Sequence, residues 1–177
     1  MNIKQPTTFL QWRRLHRLYN AAFPKEEKKP FSMIRAMRKK GKTDVWYCEE
    51  GGRFAGLVIT INGPDQILLD YLAVDTKRRG CGLGSEMLEL MREHYAGKGV
   101  FLEIEVVVED AANYEERKRR KQFYLRNGMK ELGVFVELFG VDMELLGFDC
   151  TMTFEAYHAF YRDNYSAWAA EHIKRPK

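Results

Sequence analysis

Cysteine and long apolar runs are scarce in this chain of 177 residues. Its three cysteines, Cys48, Cys81 and Cys150, are odd in number and widely spaced, so they match neither a disulfide framework nor a metal site and favour a reducing cytoplasm. No apolar run approaches the length of a membrane span, and the segment 1–8 is too polar for a secretion signal. We therefore expect a cytoplasmic protein with no membrane partner.

The chain also has little excess of charge. Its formal net charge of +4 at pH 7 attracts polyanions only weakly. A basic segment at 35–42 could contact nucleic acid, but nearby acidic residues break up a continuous positive surface. The four histidines are scattered, and none lies at ligand spacing from a cysteine or an acid. We expect neither a nucleic-acid partner nor a bound metal.

What the chain does have is the length and apolar content of a single globular domain, spanning 1–177. Apolar periodicity and turn residues predict strands at 44–49, 53–61, 66–74, 100–108, 132–138 and 141–148. They predict helices at 8–22, 31–37, 83–95, 114–127 and 154–170. A strand pair followed by alternating strands and helices indicates a mixed α/β sheet with helices packed on it.

A glycine-rich turn, residues 78–85, follows the third of these strands. It reads RRGCGLGS, and an amphipathic helix begins within it at Leu83. Glycines let backbone N–H groups approach a ligand, and the first turn of a helix leaves several N–H groups without partners. Arg78 and Arg79 add positive charge. The turn therefore predicts a site for a phosphate-bearing cofactor.

Two known phosphate loops fit this spacing poorly. The dinucleotide fingerprint G-x-G-x-x-G needs its third glycine one residue beyond Gly84, which leaves a nucleotide-binding oxidoreductase as a disfavoured alternative. The nucleoside-triphosphate loop G-x-x-x-x-G-K-[ST] matches at 41–43, but Ala36 occupies the place of its first glycine. That segment also follows a basic helical run rather than a strand, and we exclude it.

The remaining pattern, [RQ]-x-x-G-x-[GA], is met by Arg79, Gly82 and Gly84, which follow the strand end LAVD at 72–75. Farther along, QFYLRNGM at 122–129 places an aromatic–tyrosine pair on a helix before a glycine. Together these motifs resemble the GNAT superfamily of N-acetyltransferases. The resemblance implies a mostly antiparallel central sheet, splayed between its fourth and fifth strands, with helices on both faces and acetyl-coenzyme A in the opening.

The resemblance also implies which residues bind acetyl-coenzyme A as a co-substrate. The main chain of 72–74 would pair with the pantetheine arm, and the N–H groups of 81–85, with Arg79, would bind the pyrophosphate. Many family members have asparagine and alanine where this chain has Arg117 and Arg120. In the basic block 117–121, Arg117 or Lys121 could bind a phosphate at the adenosine end. The predicted cofactor ligands are Leu72, Ala73, Val74, Arg79, Gly80, Cys81, Gly82, Leu83, Gly84, Ser85, Arg117 and Lys121.

Acetyl transfer needs an acid for the departing thiolate and a route for the amine proton. By resemblance Tyr124 is the acid, since a phenol with an ordinary pKa near 10 holds a proton at neutral pH. The alternative is a core or hinge tyrosine. Strand alternation places Glu103 and Glu105 on one face, where they could relay the amine proton or attract a cationic amine. The alternative for this pair is a solvated strand face.

These inferences predict an acyltransferase that moves an acetyl group from acetyl-coenzyme A to a primary amine by direct transfer in a ternary complex. Cys81 lies inside the glycine-rich turn, a poor place to hold an acyl group. The alternative function is a module of the same fold that senses acyl-coenzyme A without turnover. The acceptor, a small-molecule amine or a protein or peptide amine, stays open. Aromatic residues at 154–168 predict core packing or a homodimer contact, with a wall of the acceptor pocket as the alternative.

Overall fold

The computed structural model describes residues 1–176 and contains eight strands and six α-helices among them. The strands are β1 (Asn2–Lys4), β2 (Thr43–Glu50), β3 (Arg53–Asn62), β4 (Gln66–Val74), β5 (Gly99–Glu105), β6 (Lys130–Leu138), β7 (Val141–Phe148) and β8 (Ile173–Lys174). The helices are α1 (Phe9–Ala22), α2 (Phe31–Lys39), α3 (Leu83–His94), α4 (Tyr114–Arg126), α5 (Phe154–Phe160) and α6 (Ala167–Ala170). Within residues 1–176 no helix is long and apolar enough to cross a bilayer.

The strands hydrogen-bond in the order β1-β2-β3-β4-β5-β7-β6-β8. β4 and β5 pair in parallel, whereas β2 is antiparallel to β1 and β3, and β7 is antiparallel to β5 and β6. The predicted mixed α/β sheet is therefore confirmed. The parallel pairing joins Gln66 to Gly99, Ile67 to Val100 and Leu68 to Phe101.

The chain forms two compact units, of which the first comprises residues 1–62 and 69–94. Thr8 starts α1 with a capping box, in which its side chain accepts from the N–H of Gln11 and the Gln11 side chain accepts in return. The apolar faces of α1 and α2 then pack on the sheet. The buried core residues are Leu15, Leu18, Tyr19, Ile34, Val45, Tyr47, Leu57, Ile59, Tyr71 and Ala73.

The second unit comprises residues 63–68 and the described chain from Tyr95 onward. Its sheet is built from the start of β4 (residues 66–68), β5, β7, β6 and β8, with Glu103 of β5 opposite Leu145 of β7. Consecutive residues of β5 and β7 are buried, including Phe101 and Leu145, which have no exposed surface. Tyr157 of α5 is buried with them.

The segment predicted to be helical at 154–170 is helical except at Ser166, which interrupts it. α5 ends at Phe160, and a π-helical turn at Tyr161–Tyr165 follows it. The N–H of Ser166 closes this turn by donating to the carbonyl of Tyr161 at 2.8 Å. Ser166 is itself extended, with φ −164°, and its side chain caps α6 by accepting from the N–H of Ala169 at 3.3 Å. The capping serine therefore divides the predicted helix in two.

Candidate functional site

The glycine-rich turn joins β4 to α3 within the first unit. Asp75 begins the connection, since its carbonyl accepts from the N–H of Arg78 at 2.8 Å and its side chain accepts from the N–H of Lys77 at 3.2 Å. Gly80 and Gly82 then adopt φ +81° and +77°, a region that disfavours other residues. The two glycines bend the chain sharply before α3 begins.

This bend leaves a row of N–H groups without partners. The six consecutive amides of residues 79–84 make no hydrogen bond within residues 1–176, whereas those of Ser85 and Glu86 donate to the carbonyl of Gly82 at 3.0 and 3.2 Å. Residues 79–82 are exposed. An exposed run of N–H groups at the start of a helix, where the helix dipole is positive, is suited to bind an anion.

The two arginines of the turn have different environments. Arg78 contacts the β2–β3 hairpin, where its Nη2 donates to Glu50 Oε2 at 2.5 Å and its Nη1 to the carbonyls of Glu50, Arg53 and Phe54 at 3.3–3.4 Å. The Arg79 side chain is exposed and makes no hydrogen bond or ion pair within the described residues. Arg78 therefore anchors the turn, and Arg79 keeps its charge available to a ligand.

The end of β4 presents one edge of its backbone away from β3. The N–H of Asp75 donates to the carbonyl of Ala55 in β3 at 2.8 Å. Because backbone groups alternate along a strand, Ala73 also faces β3, while Leu72 and Val74 turn their N–H and carbonyl groups to the opposite edge. Of the three predicted strand ligands, Leu72 and Val74 therefore have the orientation needed to pair with an extended ligand.

Tyr124 lies on α4 in the second unit. Its side chain is half-buried, its ring packs edge-on against Phe123 with centroids 5.1 Å apart, and its hydroxyl makes no hydrogen bond within residues 1–176. Burial raises the pKa of Tyr124 above its ordinary value, and the positive charge of Arg120 offsets part of that rise. The phenol therefore stays protonated at neutral pH with its hydroxyl uncommitted.

Glu103 and Glu105 project from the same face of β5, and both are half-buried. Glu103 Oε1 accepts from the hydroxyls of Tyr157 and Tyr161, each at 2.7 Å. Glu105 instead accepts from Arg117 Nη2 at 2.7 Å. Neither is a solvated strand carboxylate. They differ in that Glu105 has a cationic partner, whereas these two partners of Glu103 are neutral.

The two basic residues predicted to bind a cofactor phosphate have carboxylate partners in the second unit. Arg117 donates to Glu105 and also to the carbonyl of Val106 at 2.9 Å. Lys121 Nζ lies 2.8 Å from Glu144 Oε2 and 2.5 Å from Glu131 Oε1. Their assignment as cofactor ligands remains a prediction.

The sequence did not single out Tyr157 and Tyr161 as functional. Both are buried, as predicted for the aromatic residues of this segment, whereas Trp168 is 61% exposed. The feature of the sequence that could have indicated this pair is its spacing of four residues, which places both tyrosines on one face of a helix. Among residues 1–176 no three histidine, cysteine or acidic side chains cluster as metal ligands would.

Comparison with known proteins identifies the family. The model of the acetyltransferase (GNAT) family matches residues 12–129. YjbC of Bacillus subtilis, which is named as an acetyltransferase, is 32% identical over 108 residues, or 61% of this chain and 52% of YjbC. The chain thus spans about half the length of this curated relative.

Solved structures share the fold. A protein of Bacteroides thetaiotaomicron that is named as a GNAT-family acetyltransferase superposes with a TM-score of 0.79 at 19% identity, covering 93% of this chain and 98% of that one. An aminoglycoside 6'-N-acetyltransferase complexed with coenzyme A superposes with a TM-score of 0.63 at 17% identity, covering 84% and 96%. Because the family model covers more than half of the sequence, the chain belongs to the GNAT family of acetyltransferases.

Proposed function

We propose that this protein is an N-acetyltransferase that moves the acetyl group of acetyl-coenzyme A to a primary amine by direct transfer in a ternary complex. The observation that carries the proposal is the row of six unpartnered amides at 79–84, beside the uncommitted guanidinium of Arg79. A diphosphate supplies the acceptor oxygens and negative charge that such a row of donors requires. The outward edge of Leu72 and Val74 suits the amide-bearing pantetheine arm.

The residues of the second unit fit the proton transfers that acetyl transfer requires. An ammonium acceptor gives a proton to Glu103 through water, its nitrogen attacks the thioester carbonyl, and the carbon–sulfur bond breaks. The departing thiolate takes the proton of the Tyr124 hydroxyl, and the nitrogen gives up its second proton, through water, to restore that phenol as the amide forms. We favour Glu103 over Glu105 as the base because Glu105 is already engaged in an ion pair with Arg117, whereas Tyr157 and Tyr161 reach Glu103 with neutral hydroxyls.

In this function residues 1–177 act as one acetyltransferase domain in the cytoplasm, as a monomer or homodimer. Its acceptor is either a small-molecule amine or an amine of a protein or peptide. The cytoplasmic location is supported by the three cysteines, which are unpaired thiols. No residue of the glycine-rich turn or of α4 distinguishes between these acceptors.

The different environments of the two arginines lead to opposite expectations for their alanine variants. We expect Arg79→Ala to weaken acetyl-coenzyme A binding about tenfold, the value of a charged hydrogen bond, without lowering the melting temperature. Arg78→Ala should lower the melting temperature by a few degrees because the β2–β3 contacts are lost. Isothermal titration measures the affinity of both variants for acetyl-coenzyme A, and thermal unfolding measures their melting temperatures. Equal affinities in Arg79→Ala and the wild type would remove Arg79 from the proposed site.

Thermal stabilisation by ligands tests the identity of the donor. A ligand that binds only the folded protein raises its melting temperature. At a ligand concentration of 100 Kd, the free energy of unfolding increases by about 2.7 kcal/mol. We expect acetyl-coenzyme A and coenzyme A to raise the melting temperature and NAD to leave it unchanged. Stabilisation by NAD but not by acetyl-coenzyme A would overturn the proposal in favour of an oxidoreductase.

A further inference from the structure

One carboxylate of the second unit is held by two buried hydroxyls. We infer that Tyr157 and Tyr161 are positioning residues that fix the orientation and the negative charge of the Glu103 carboxylate, so that it can accept the amine proton. This inference rests on the proposed function, in which Glu103 is the base. It gives a role in catalysis to α5 and the π-helical turn. Both lie outside the glycine-rich turn and the α4 motif on which the proposed function rests.

The geometry of the cluster is specific. Both hydroxyls donate to the same oxygen, Glu103 Oε1, at 2.7 Å. Two donors on one carboxylate oxygen restrict rotation of the group, so its two oxygens cannot exchange places. Tyr157 is 0% and Tyr161 2% exposed, so water does not compete for these hydrogen bonds. The carboxylate is therefore oriented by parts of the core.

The fold makes the two hydroxyls rigid. Tyr157 lies on α5 and Tyr161 opens the π-helical turn, and their rings pack with centroids 5.0 Å apart. Tyr157 also packs edge-on against Phe101, two residues before Glu103 on the same face of β5. The N–H of Ser166 holds the carbonyl of Tyr161 and closes the turn. Turns of this type occur mostly as single-turn insertions in α-helices, and frequently at functional sites.

The donors also keep the carboxylate usable as a base. A hydroxyl stabilises the ionised carboxylate by hydrogen bonding but brings no positive charge. The neighbouring acid on this face of β5, Glu105, is paired with Arg117 and lies 3.8 Å from Arg120 on α4. The facing residue on β7, Leu145, is apolar. Arg117 and Arg120 of α4 thus contact Glu105, while Tyr157 of α5 and Tyr161 of the π-helical turn donate to Glu103.

Titration of Glu103 in the ligand-free protein tests the inference independently of catalysis. The side-chain carboxyl carbon is observed by NMR in protein labelled with ¹³C-glutamate, and Glu103→Gln assigns its signal. We expect Tyr157→Phe and Tyr161→Phe each to raise the Glu103 pKa by about one unit, since a hydrogen bond to a charged group has about that value. The double variant should show the largest rise.

Tyr47→Phe is the matched control. Tyr47 is equally buried, and its hydroxyl accepts from Arg14 at 2.8 Å in the first unit. It should lower stability as the other tyrosine variants do while leaving the Glu103 titration unchanged. An unchanged titration in both Tyr157→Phe and Tyr161→Phe would overturn the inference and leave the proposed function intact.

Steady-state kinetics test the effect of the two tyrosines on turnover. The acceptor is the amine that supports the fastest release of coenzyme A. Tyr157→Phe and Tyr161→Phe should lower kcat about tenfold at neutral pH, with the KM for acetyl-coenzyme A unchanged and the acidic limb of the pH profile moved upward. Full turnover by Glu103→Gln would instead refute the base in the proposed function, whatever the tyrosine titrations show. Loss of kcat with an unmoved pH profile would reduce the tyrosines to a structural role and contradict the inference.

Discussion

Tyr124→Phe should lower kcat about a hundredfold, within the range expected for loss of a general acid. The substitution removes one oxygen atom that makes no hydrogen bond within the described residues, so folding should be unaffected. The KM and Kd for acetyl-coenzyme A should be unchanged, because the amides of the glycine-rich turn remain. Since burial raises the pKa of Tyr124, the phenol supplies a proton over the whole neutral range.

Tyr114→Phe is the matched control on the same helix. Tyr114 is also half-buried, and Lys118 Nζ lies over its ring, 5.4 Å from the centroid. This variant should turn over like the wild type. Steady-state kinetics and single-turnover rates of the two variants measure the difference. A wild-type kcat in Tyr124→Phe would remove the acid from the mechanism and leave Tyr124 as a packing residue.

Lys121→Met should lower the free energy of unfolding by about 3–5 kcal/mol, the cost of leaving a buried charge without its partner. Glu144 is 3% exposed, and both its oxygens accept from Lys121, at 2.8 and 2.9 Å. Burial opposes the charge of Lys121, but its bonds to Glu131 and Glu144 outweigh burial and raise the pKa of Lys121. Urea unfolding at neutral pH measures the loss.

Two further variants make this prediction specific. Glu131→Gln should lower the free energy of unfolding by less than about 1 kcal/mol, because the carboxylate of Glu131 is half exposed. Lys121→Met with Glu144→Leu should recover most of the stability, since no buried charge is left unpaired. Lys121 lowers the pKa of Glu131. The ion pair between them therefore stabilises the fold at pH values above the ordinary pKa of a glutamate, and this stabilisation is lost as the pH falls through the lowered pKa.

The same variant decides the predicted role of Lys121 as a cofactor ligand. If the ion pair with Glu144 is the whole role of this lysine, Lys121→Met loses stability and binds acetyl-coenzyme A with unchanged affinity once folded. Normal stability together with a tenfold weaker affinity would contradict the structural role and support a phosphate contact.

Features that depend on neighbours in sequence were predicted well. β4 runs from Gln66 to Val74 as predicted, because a proline-containing turn precedes it and the glycine-rich turn follows it. The bend in that turn follows from glycines that favour a positive φ. For the same reason the unpartnered amides of 79–84 could be inferred from the pattern of a strand, glycines and a helix.

Features that depend on distant contacts could not be predicted. β1 and β8 have three and two residues, and each is a strand only because β2 or β6 supplies its hydrogen bonds. The hydroxyls on Glu103 come from residues 54 and 58 positions farther along the chain. Alternation along β5 therefore indicated a shared face for Glu103 and Glu105, but not that one would accept from tyrosines and the other from arginine.

Amine-dependent release of coenzyme A is the measurement that tests the central claim most directly. Purified protein is mixed with acetyl-coenzyme A and a panel of amines, including polyamines, an aminoglycoside, amino-acid amides and peptides with free N-termini, and free thiol is followed. We predict steady release with at least one amine, abolished by omission of that amine and lowered about a hundredfold in Tyr124→Phe. Tight binding of acetyl-coenzyme A with no release for any amine would contradict the enzymatic account and favour a sensing module.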